Sequence, residues 1–373
     1  MKVMILDTTL REGEQTPGVA FSIEQKIKIA SLLGGFGVNS IEVGFPSSSK
    51  GAMEASKAIC ELGYDFETLG YARAKTEDID AVAEAGCDRV VINMPTSDIQ
   101  IESKLNVTRE YLEEILVNSI SYALNRGLKV RFTPEDSSRT PNDVWRRIIE
   151  KAVNAGADRI SITDTVGIAT PQKIVQLVES LQYLKVGIDL HCHNDFGLAI
   201  ANAIAGVQAG ADQIQCTVNG LGERVGICPL AETVMALKYA YNVQLDVKTE
   251  MLKEISEYVA EASGIPLSNR SPIVGRHAFT HTAGIHTAAV LKNPHAYEPV
   301  PPESVGNKRR LVLGKFSGKN LIRHKLNELG IKLQEEQISM LAESVREAAE
   351  TSGEIGDSEL VLLVEKIRKD EVI

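Results

Sequence analysis

An Ala-Gly-x-Asp junction recurs three times in the first part of the chain, and it constrains the fold more than any other feature. The junctions begin at Ala85, Ala155 and Ala209, and each follows an amphipathic stretch and precedes a β-rich run. Glycine ends helices because it adopts the left-handed conformation at little steric cost. The repeat therefore predicts a chain in which helices alternate with strands.

The full pattern comprises eight strand–helix units in about 240 residues, which match a (β/α)8 TIM barrel in number and size. The predicted strands are residues 3–8, 40–43, 67–71, 89–93, 129–133, 159–163, 187–191 and 213–218. The predicted helices are residues 23–33, 53–62, 78–85, 109–124, 144–155, 171–181, 198–209 and 230–241. A doubly wound sheet is the alternative, but it usually carries a Gly-x-Gly-x-x-Gly turn after its first strand. That turn is absent there, which favours the barrel.

The strand pattern stops near residue 245, and this predicts two parts of different character. Residues 1–245 are expected to form the catalytic barrel, and residues 246–373 a linker loop with a C-terminal helical extension. The predicted helices of the extension are residues 247–262, 319–329, 335–351 and 358–369. Residues 263–316 are rich in Pro, Gly, His and basic side chains and predict a long loop, and loops of that length are usually functional or disordered.

Composition excludes several classes of function. The formal net charge of -10 disfavours binding to nucleic acid or to an anionic membrane. The five cysteines are odd in number and show no Cys-x-x-Cys spacing, so neither a disulfide framework nor a structural zinc knuckle is indicated. No run approaches the roughly 18 apolar residues of a membrane helix, and the short apolar start predicts no signal peptide. We expect a cytoplasmic protein that meets any anionic substrate with local arginines.

Polar side chains gather where the predicted strands end, and active residues of a TIM barrel come from those ends. They are Arg11 and Glu12 after strand 1, Glu135 and Asp136 after strand 5, Asp164 and Thr165 after strand 6, the run His191 to Asp195 after strand 7, and Asn219 after strand 8. Because these positions are far apart in sequence, their agreement is stronger evidence for a site than any single motif.

His191 and His193 predict a metal site. Side chains alternate along a strand, so the two imidazoles point the same way. A lone histidine would more often be a hydrogen-bonded polar residue, but a pair at this spacing beside carboxylates suits a divalent metal. Glu12 is expected to be a third ligand and Asn219 a fourth. Zn²⁺, Mn²⁺ and Mg²⁺ all fit such a set.

Arg131 and Thr133 share one face of strand 5. A buried arginine needs an anion to offset its desolvation. One interpretation is that Arg131 holds a substrate carboxylate, and the other is an internal ion pair with Glu135 or Asp136. Both interpretations stay open at the level of sequence.

Two histidines, His281 and His286, lie in the predicted long loop, with Tyr297 downstream. They could supply an acid or base from outside the barrel. The alternative is a pair of surface histidines in a loop segment.

Four stretches resemble the homocitrate, 2-isopropylmalate and citramalate synthase family. They run from Asp7 to Gln15, from His191 to Gly197, from Thr217 to Arg224, and from Phe279 to His286. The resemblance implies a metal-dependent barrel enzyme in which acetyl-CoA, as co-substrate, condenses with the ketone of a 2-oxo acid. It further implies a homodimer with exchanged C-terminal segments.

The resemblance also implies roles for individual residues. Glu12, His191 and His193 would bind the metal, with Asn219 nearby. The implied substrate-binding residues are Arg11, Gln15, Arg131, Thr133 and Thr165. The implied catalytic residues are Arg11, which would stabilise the developing alkoxide, and Glu135, His286 and Tyr297, which would handle protons. His286 and Tyr297 would come from the C-terminal extension of a neighbouring subunit.

The choice of 2-oxo acid rests on few positions. Glu12, and Arg131 with Thr133, resemble homocitrate synthases that act on 2-oxoglutarate, and this is the expectation. Asn219 and the run from Gly44 to Pro46 resemble 2-isopropylmalate synthases or the homocitrate synthases of nitrogen fixation. The alternatives to 2-oxoglutarate are therefore 2-oxoisovalerate and pyruvate, the substrate of citramalate synthases. A hydroxy-acyl-CoA lyase is a more distant alternative.

Overall fold

The computed structural model describes residues 3–105 and 107–370. Eight parallel strands follow one another around a closed barrel in sequence order. The strands are β1 (Met4–Asp7), β2 (Ser40–Gly44), β3 (Glu67–Arg73), β4 (Arg89–Pro95), β5 (Lys129–Glu135), β6 (Arg159–Asp164), β7 (Gly187–Cys192) and β8 (Gln213–Cys216). The predicted (β/α)8 TIM barrel is therefore confirmed, and the differences lie at strand ends, where β8 stops two residues earlier than expected.

Helices connect these strands. They are α1 (Ile23–Phe36), α2 (Lys50–Cys60), α3 (Thr76–Glu84), α4 (Asp98–Lys104), α5 (Arg109–Asn125), α6 (Asn142–Asn154), α7 (Pro171–Glu179), α8 (Ala199–Gln208), α9 (Leu230–Met235) and α10 (Leu252–Ser263). Local chemistry explains their ends: Ser22 and Gln25 form a capping box at α1, and Gly37 ends that helix with a φ of 102°. Helix α4 was not predicted, and it brings Lys104 towards the end of β5.

The first compact unit ends at Leu267, whereas the sequence placed the barrel boundary at residue 245. The reason is that α10 and the turn before it pack on α1. Lys248 donates its backbone N–H to the Phe36 carbonyl at 2.9 Å. A side chain at Gly35 would lie 3.3 Å from the Met251 methyl group.

The second unit begins at Ser268. It contains two short parallel strands, β9 (Thr280–His281) and β10 (Arg310–Leu311), and the helices α11 (Gly284–Lys292), α12 (Lys319–Glu328), α13 (Glu335–Ser352) and α14 (Asp357–Asp370). Its core is aliphatic and includes Leu321, Leu341 and Val345, all fully buried. The prediction of one long loop over 263–316 was therefore wrong for α11, β9 and β10, whereas the last three predicted helices are present.

None of the helices within the described residues is both long and apolar enough to cross a membrane.

Candidate active site

A cavity of about 500 Å³ opens at the carboxyl ends of the barrel strands. Its lining side chains are mostly polar and come from seven of the eight strand ends or the loops that follow them. They are Arg11, Glu12, Gln15, Tyr71, Asn93, Gln100, Lys104, Thr133, Glu135, Thr163, Thr165, Val166, His191, His193, Glu223 and Arg224. Gln15, Thr133, Glu135 and Thr165 share this cavity with Glu12, His191 and His193, and their roles in substrate binding and catalysis stay predictions.

Glu12, His191 and His193 form a compact buried cluster, with one ligand atom of each within 4.8 Å of the others. Nε2 of His191 and Nε2 of His193 are 3.3 Å apart. Two nitrogens bound to one tetrahedral zinc at its usual bond length lie about 3.3 Å apart, so the spacing fits a shared ion. The carboxylate of Glu12 lies 4.0 Å from His191 and 3.9 Å from His193. Two imidazoles and a carboxylate suit a divalent metal.

A hydrogen-bonded chain beneath the cavity fixes the tautomer of His191. The side-chain amide of Gln215 donates to Asp189 at 2.6 Å and to the Ser161 hydroxyl at 2.8 Å. Its oxygen therefore faces Nδ1 of His191 at 2.7 Å. Nδ1 must carry the proton, which leaves the lone pair on Nε2 directed towards the cluster.

Arg11 holds Glu12 from the other side. Its Nη1 donates to Glu12 at 2.5 Å, its Nε lies 3.2 Å from Glu42, and the guanidinium lies 5.3 Å from the centre of the Tyr71 ring. The backbone N–H of Glu223 donates to Glu12 at 3.0 Å. Glu12 is thereby oriented by an arginine and by the loop after β8.

The electrostatics of the cluster leave both imidazoles neutral and the carboxylate charged. Burial would raise the pKa of Glu12, but the positive charge of Arg11, together with the backbone N–H of Glu223, lowers it to about 2. Burial lowers the pKa of His191 and brings that of His193 to about 4. Neutral imidazole is the form that binds a metal.

Glu135 and Thr165 are both held by neighbouring residues. Lys104 on α4, which the sequence analysis missed, pairs with the Glu135 carboxylate. The Thr165 hydroxyl accepts the backbone N–H of Asp136 at 2.9 Å. The α4 contribution was hidden because a seven-residue helix leaves little periodic signal in the sequence.

Arg131 does not line the cavity. Its side chain is fully buried in the barrel interior, with Nη2 3.9 Å from Glu42 and Nη1 4.0 Å from Asp189. Of the two interpretations, this placement fits the internal ion pair, but with other partners than Glu135 or Asp136. Thr133, two residues nearer the strand end, does reach the cavity, because each inward position along a barrel strand lies one layer deeper than the next.

Asn219 lies after strand β8, as the sequence placed it, but β8 ends at Cys216 and not at residue 218. It lies in a turn beyond the strand with a φ of 58°, and its Nδ2 donates to the Ser256 carbonyl at 2.8 Å. Its Oδ1 is buried without a hydrogen-bond partner. The role of Asn219 as a ligand stays a prediction.

His286 and Tyr297 belong to the second unit and meet there. Their rings lie 4.2 Å apart between centroids, and both side chains are exposed. His281 is engaged elsewhere, with Nε2 3.1 Å from Glu298. The role of His286 and Tyr297 in proton transfer stays a prediction.

Fold and cavity together define a TIM-barrel enzyme with a candidate metal centre at the strand ends. The HMGL-like family model matches residues 2–259, and a model described as homocitrate synthase post-HMGL domain-like matches residues 273–353. The chain therefore belongs to the HMGL-like family, in the branch formed by the homocitrate, 2-isopropylmalate and citramalate synthases.

Curated relatives agree with this placement. A 2-isopropylmalate synthase of Sulfolobus acidocaldarius is 43% identical over 98% of this chain and 96% of its own length. A probable 2-isopropylmalate synthase of Methanopyrus kandleri is 44% identical over 98% of this chain and 77% of its own. A putative (R)-citramalate synthase of Archaeoglobus fulgidus is 42% identical over 98% of this chain and 76% of its own. These relatives favour the alternatives over the expected homocitrate synthase.

Solved structures share the barrel. The HMG-CoA lyase of Bacillus subtilis matches with a TM-score of 0.65 at 22% identity, over 72% of this chain and 96% of that chain.

The cluster makes a prediction about metal binding. Glu12→Gln removes a charged ligand, and Gln215→Leu removes the hydrogen bond that orients His191. We expect Gln215→Leu to weaken Mn²⁺ or Zn²⁺ binding about 10–100-fold and Glu12→Gln to weaken it further, by calorimetric titration. The exposed Glu54→Gln is the matched control and should bind as the unaltered protein does. Equal affinities in all four proteins would place the metal elsewhere.

The lowered pKa of His193 gives a second prediction. Protons compete with the metal for Nε2, so affinity falls only where the imidazole becomes protonated. With a pKa of about 4 in place of the ordinary 6.5, His193 is neutral throughout the range in which a free imidazole titrates. We expect Mn²⁺ affinity to be flat from pH 8 down to pH 6 and to fall as the pH approaches 4. A tenfold loss between pH 7 and pH 6 would contradict this.

Proposed function

We propose that this chain condenses acetyl-CoA with a 2-oxo acid and releases CoA, and that the acid is 2-oxoisovalerate, which makes it a 2-isopropylmalate synthase. The proposal rests on its similarity to curated 2-isopropylmalate synthases, which match nearly the full length of this chain at 43–44% identity. The metal-ligand cluster and Arg11 in one polar cavity support the condensation chemistry.

The position of Arg131 supports a substrate without a second carboxylate. The expectation of 2-oxoglutarate rested on this arginine and on Glu12. Arg131 is enclosed between Glu42 and Asp189, below the cavity, with no exposed surface. The cations that do line the cavity are paired as well: Arg11 with Glu12, Lys104 with Glu135, and Arg224 with Asp195. A second carboxylate would have to displace one of these pairs.

Glu12, His191 and His193 would hold the divalent ion, with Asn219 nearby as the proposed fourth ligand. When bound, such an ion supplies Lewis-acid polarisation of the ketone and carboxylate oxygens of the 2-oxo acid. Arg11 donates hydrogen bonds at the rim of the cluster, where negative charge develops on the ketone oxygen. Gln15, Thr133 and Thr165 line the space in which the rest of the acid would lie.

Proton transfer falls to Glu135, His286 and Tyr297 in this proposal. Glu135 lies in the cavity beside Lys104, where it would accept a proton from the acetyl methyl group. His286 and Tyr297 form an exposed pair of tilted rings in the second unit. We propose that this pair serves the barrel of a partner chain, in a homodimer with exchanged C-terminal segments.

A citramalate synthase acting on pyruvate is the second candidate. The putative (R)-citramalate synthase relative, 42% identical over 98% of this chain, favours it. The two reactions share the metal and Arg11, and they differ only in the size of the apolar group on the 2-oxo acid. Tyr71 and Val166 are the larger apolar side chains in the cavity lining.

The proposal predicts the outcome of a substrate panel. Purified protein with Mn²⁺ and acetyl-CoA is given 2-oxoisovalerate, pyruvate or 2-oxoglutarate, and CoA release is followed with a thiol reagent. We expect kcat/KM to be highest for 2-oxoisovalerate, by about tenfold or more over pyruvate, since two methyl groups contribute roughly that discrimination. The strongest turnover with pyruvate would favour the citramalate synthase, and with 2-oxoglutarate the homocitrate synthase.

A second test distinguishes the roles of Arg131 and Thr133 on strand β5. Because Arg131 does not reach the cavity, Arg131→Lys should lower the free energy of unfolding yet leave the ratio of kcat/KM values among the three acids unchanged. Thr133→Ala enlarges the cavity and should change that ratio, up to about tenfold. Urea denaturation and steady-state kinetics on both variants give the answer. A selective loss of 2-oxoglutarate turnover in Arg131→Lys would restore the carboxylate-binding role of Arg131.

A further inference from the structure

Cys60 and Cys87 face each other across the gap between α2 and β4. Their sulfur atoms are 3.6 Å apart, although the residues are separated by 27 positions in sequence. Cys60 is the last residue of α2, and Cys87 lies two residues before β4 begins. The backbones also approach closely: a Cβ at Gly86 would lie 3.9 Å from the Cβ of Cys60.

The approach is close enough for a covalent bond. A disulfide has a sulfur–sulfur distance of about 2.0 Å, so the two atoms have about 1.6 Å to close. Cys60 is half-buried and accessible to a small oxidant, whereas Cys87 is buried.

The two thiols differ in reactivity. A hydrogen bond from the Cys87 thiol stabilises the thiolate of Cys60 and lowers its pKa. The same contact, together with burial, raises the pKa of Cys87. Cys60 is therefore the group that an oxidant meets first, since the thiolate is the reactive form.

The other cysteines contrast with this pair. Cys192, Cys216 and Cys228 are fully buried, and burial raises the pKa of each thiol. A peroxide therefore has one reactive thiolate to attack, beside one thiol in contact with it.

We propose that Cys60 and Cys87 form a reversible intramolecular disulfide that stabilises the barrel, with hydrogen peroxide as a sufficient oxidant. The Cys60 thiolate attacks one peroxide oxygen, the O–O bond breaks, and Cys60 becomes a sulfenic acid as the other oxygen leaves as water after protonation. The Cys87 sulfur then attacks the Cys60 sulfur, the S–O bond breaks, and a second water leaves. Two thiols and one peroxide give one disulfide and two waters, and a dithiol reverses the change by exchange.

The location of the cysteine pair predicts that its oxidation leaves the candidate active site unchanged. Cys87 precedes β4, so the pair lies at the amino-terminal end of the barrel strands. Arg11, Glu135 and His193 lie at or beyond the carboxyl ends of their strands, on the opposite face. In TIM barrels the amino-terminal face serves stability and the other face serves catalysis.

The experiment uses the full chain, reduced and then treated with a small molar excess of hydrogen peroxide. We expect the intact mass to fall by about 2 Da, which corresponds to the loss of two hydrogens in one disulfide. Peptide mapping without reductant should join the Cys60 and Cys87 peptides. The Tm should rise by several degrees, since the cross-link restricts the unfolded chain, and dithiothreitol should restore the original mass and Tm.

Matched variants make the result specific. Cys60→Ser and Cys87→Ala should each lose both the mass change and the rise in Tm. Cys60→Ser is altered at the half-buried position, so it is expected to fold and serves as the principal control. The affinity for Mn²⁺, measured by calorimetry, should be equal in the reduced and the oxidised protein. A gain of 16 or 32 Da without a cross-link, a cross-link between chains, or a lower Tm after oxidation would each overturn the proposal.

Discussion

A ring of charged and polar side chains lies beneath the candidate site in the barrel interior. Their burial is tolerated because an unpaired buried charge is far more costly than a paired one. In order, the ring contains Glu12, Arg11, Glu42, Arg131, Asp189, Gln215 and His191, and it returns to Glu12. Arg131 is its loosest member, since it has ion pairs of 3.9 and 4.0 Å and its guanidinium nitrogens have no hydrogen-bond partner. The cluster of Glu12, His191 and His193 is thus the upper edge of a network of contacts that crosses the barrel.

Much of the fold followed from sequence because a barrel repeats one local rule eight times. Each strand–helix unit can be recognised in the sequence by the spacing of its apolar residues and, in several units, by the glycine that ends the helix. The metal-ligand cluster followed as well, since Glu12 and the histidine pair lie at strand ends and all strand ends of a barrel meet on one face.

The depth of a side chain within the barrel could not be predicted from sequence. Arg131 and Thr133 share one face of β5, yet only Thr133 reaches the cavity, because Arg131 lies one layer deeper. The alternation of side chains shows which face a residue takes, but not which layer forms the floor of the cavity. Short elements were also missed, as α4 and the two-residue strands β9 and β10 show, because they are too brief to carry a period. The end of β8 was misplaced by two residues because Thr217 and Val218 continue the β-rich pattern into the turn that contains Asn219.

The ring also determines the charge of the buried interior. Its three carboxylates face three guanidinium groups, because Arg159 lies 3.5 Å from Asp189, in addition to Arg11 and Arg131. Opposite charges are therefore equal in number before any ion binds. A divalent cation at Glu12 and the histidines would make this part of the barrel positive, and the carboxylate of any 2-oxo acid would offset that charge. Attraction of this kind favours anions in general, so the choice among 2-oxo acids falls to the side chains that line the cavity.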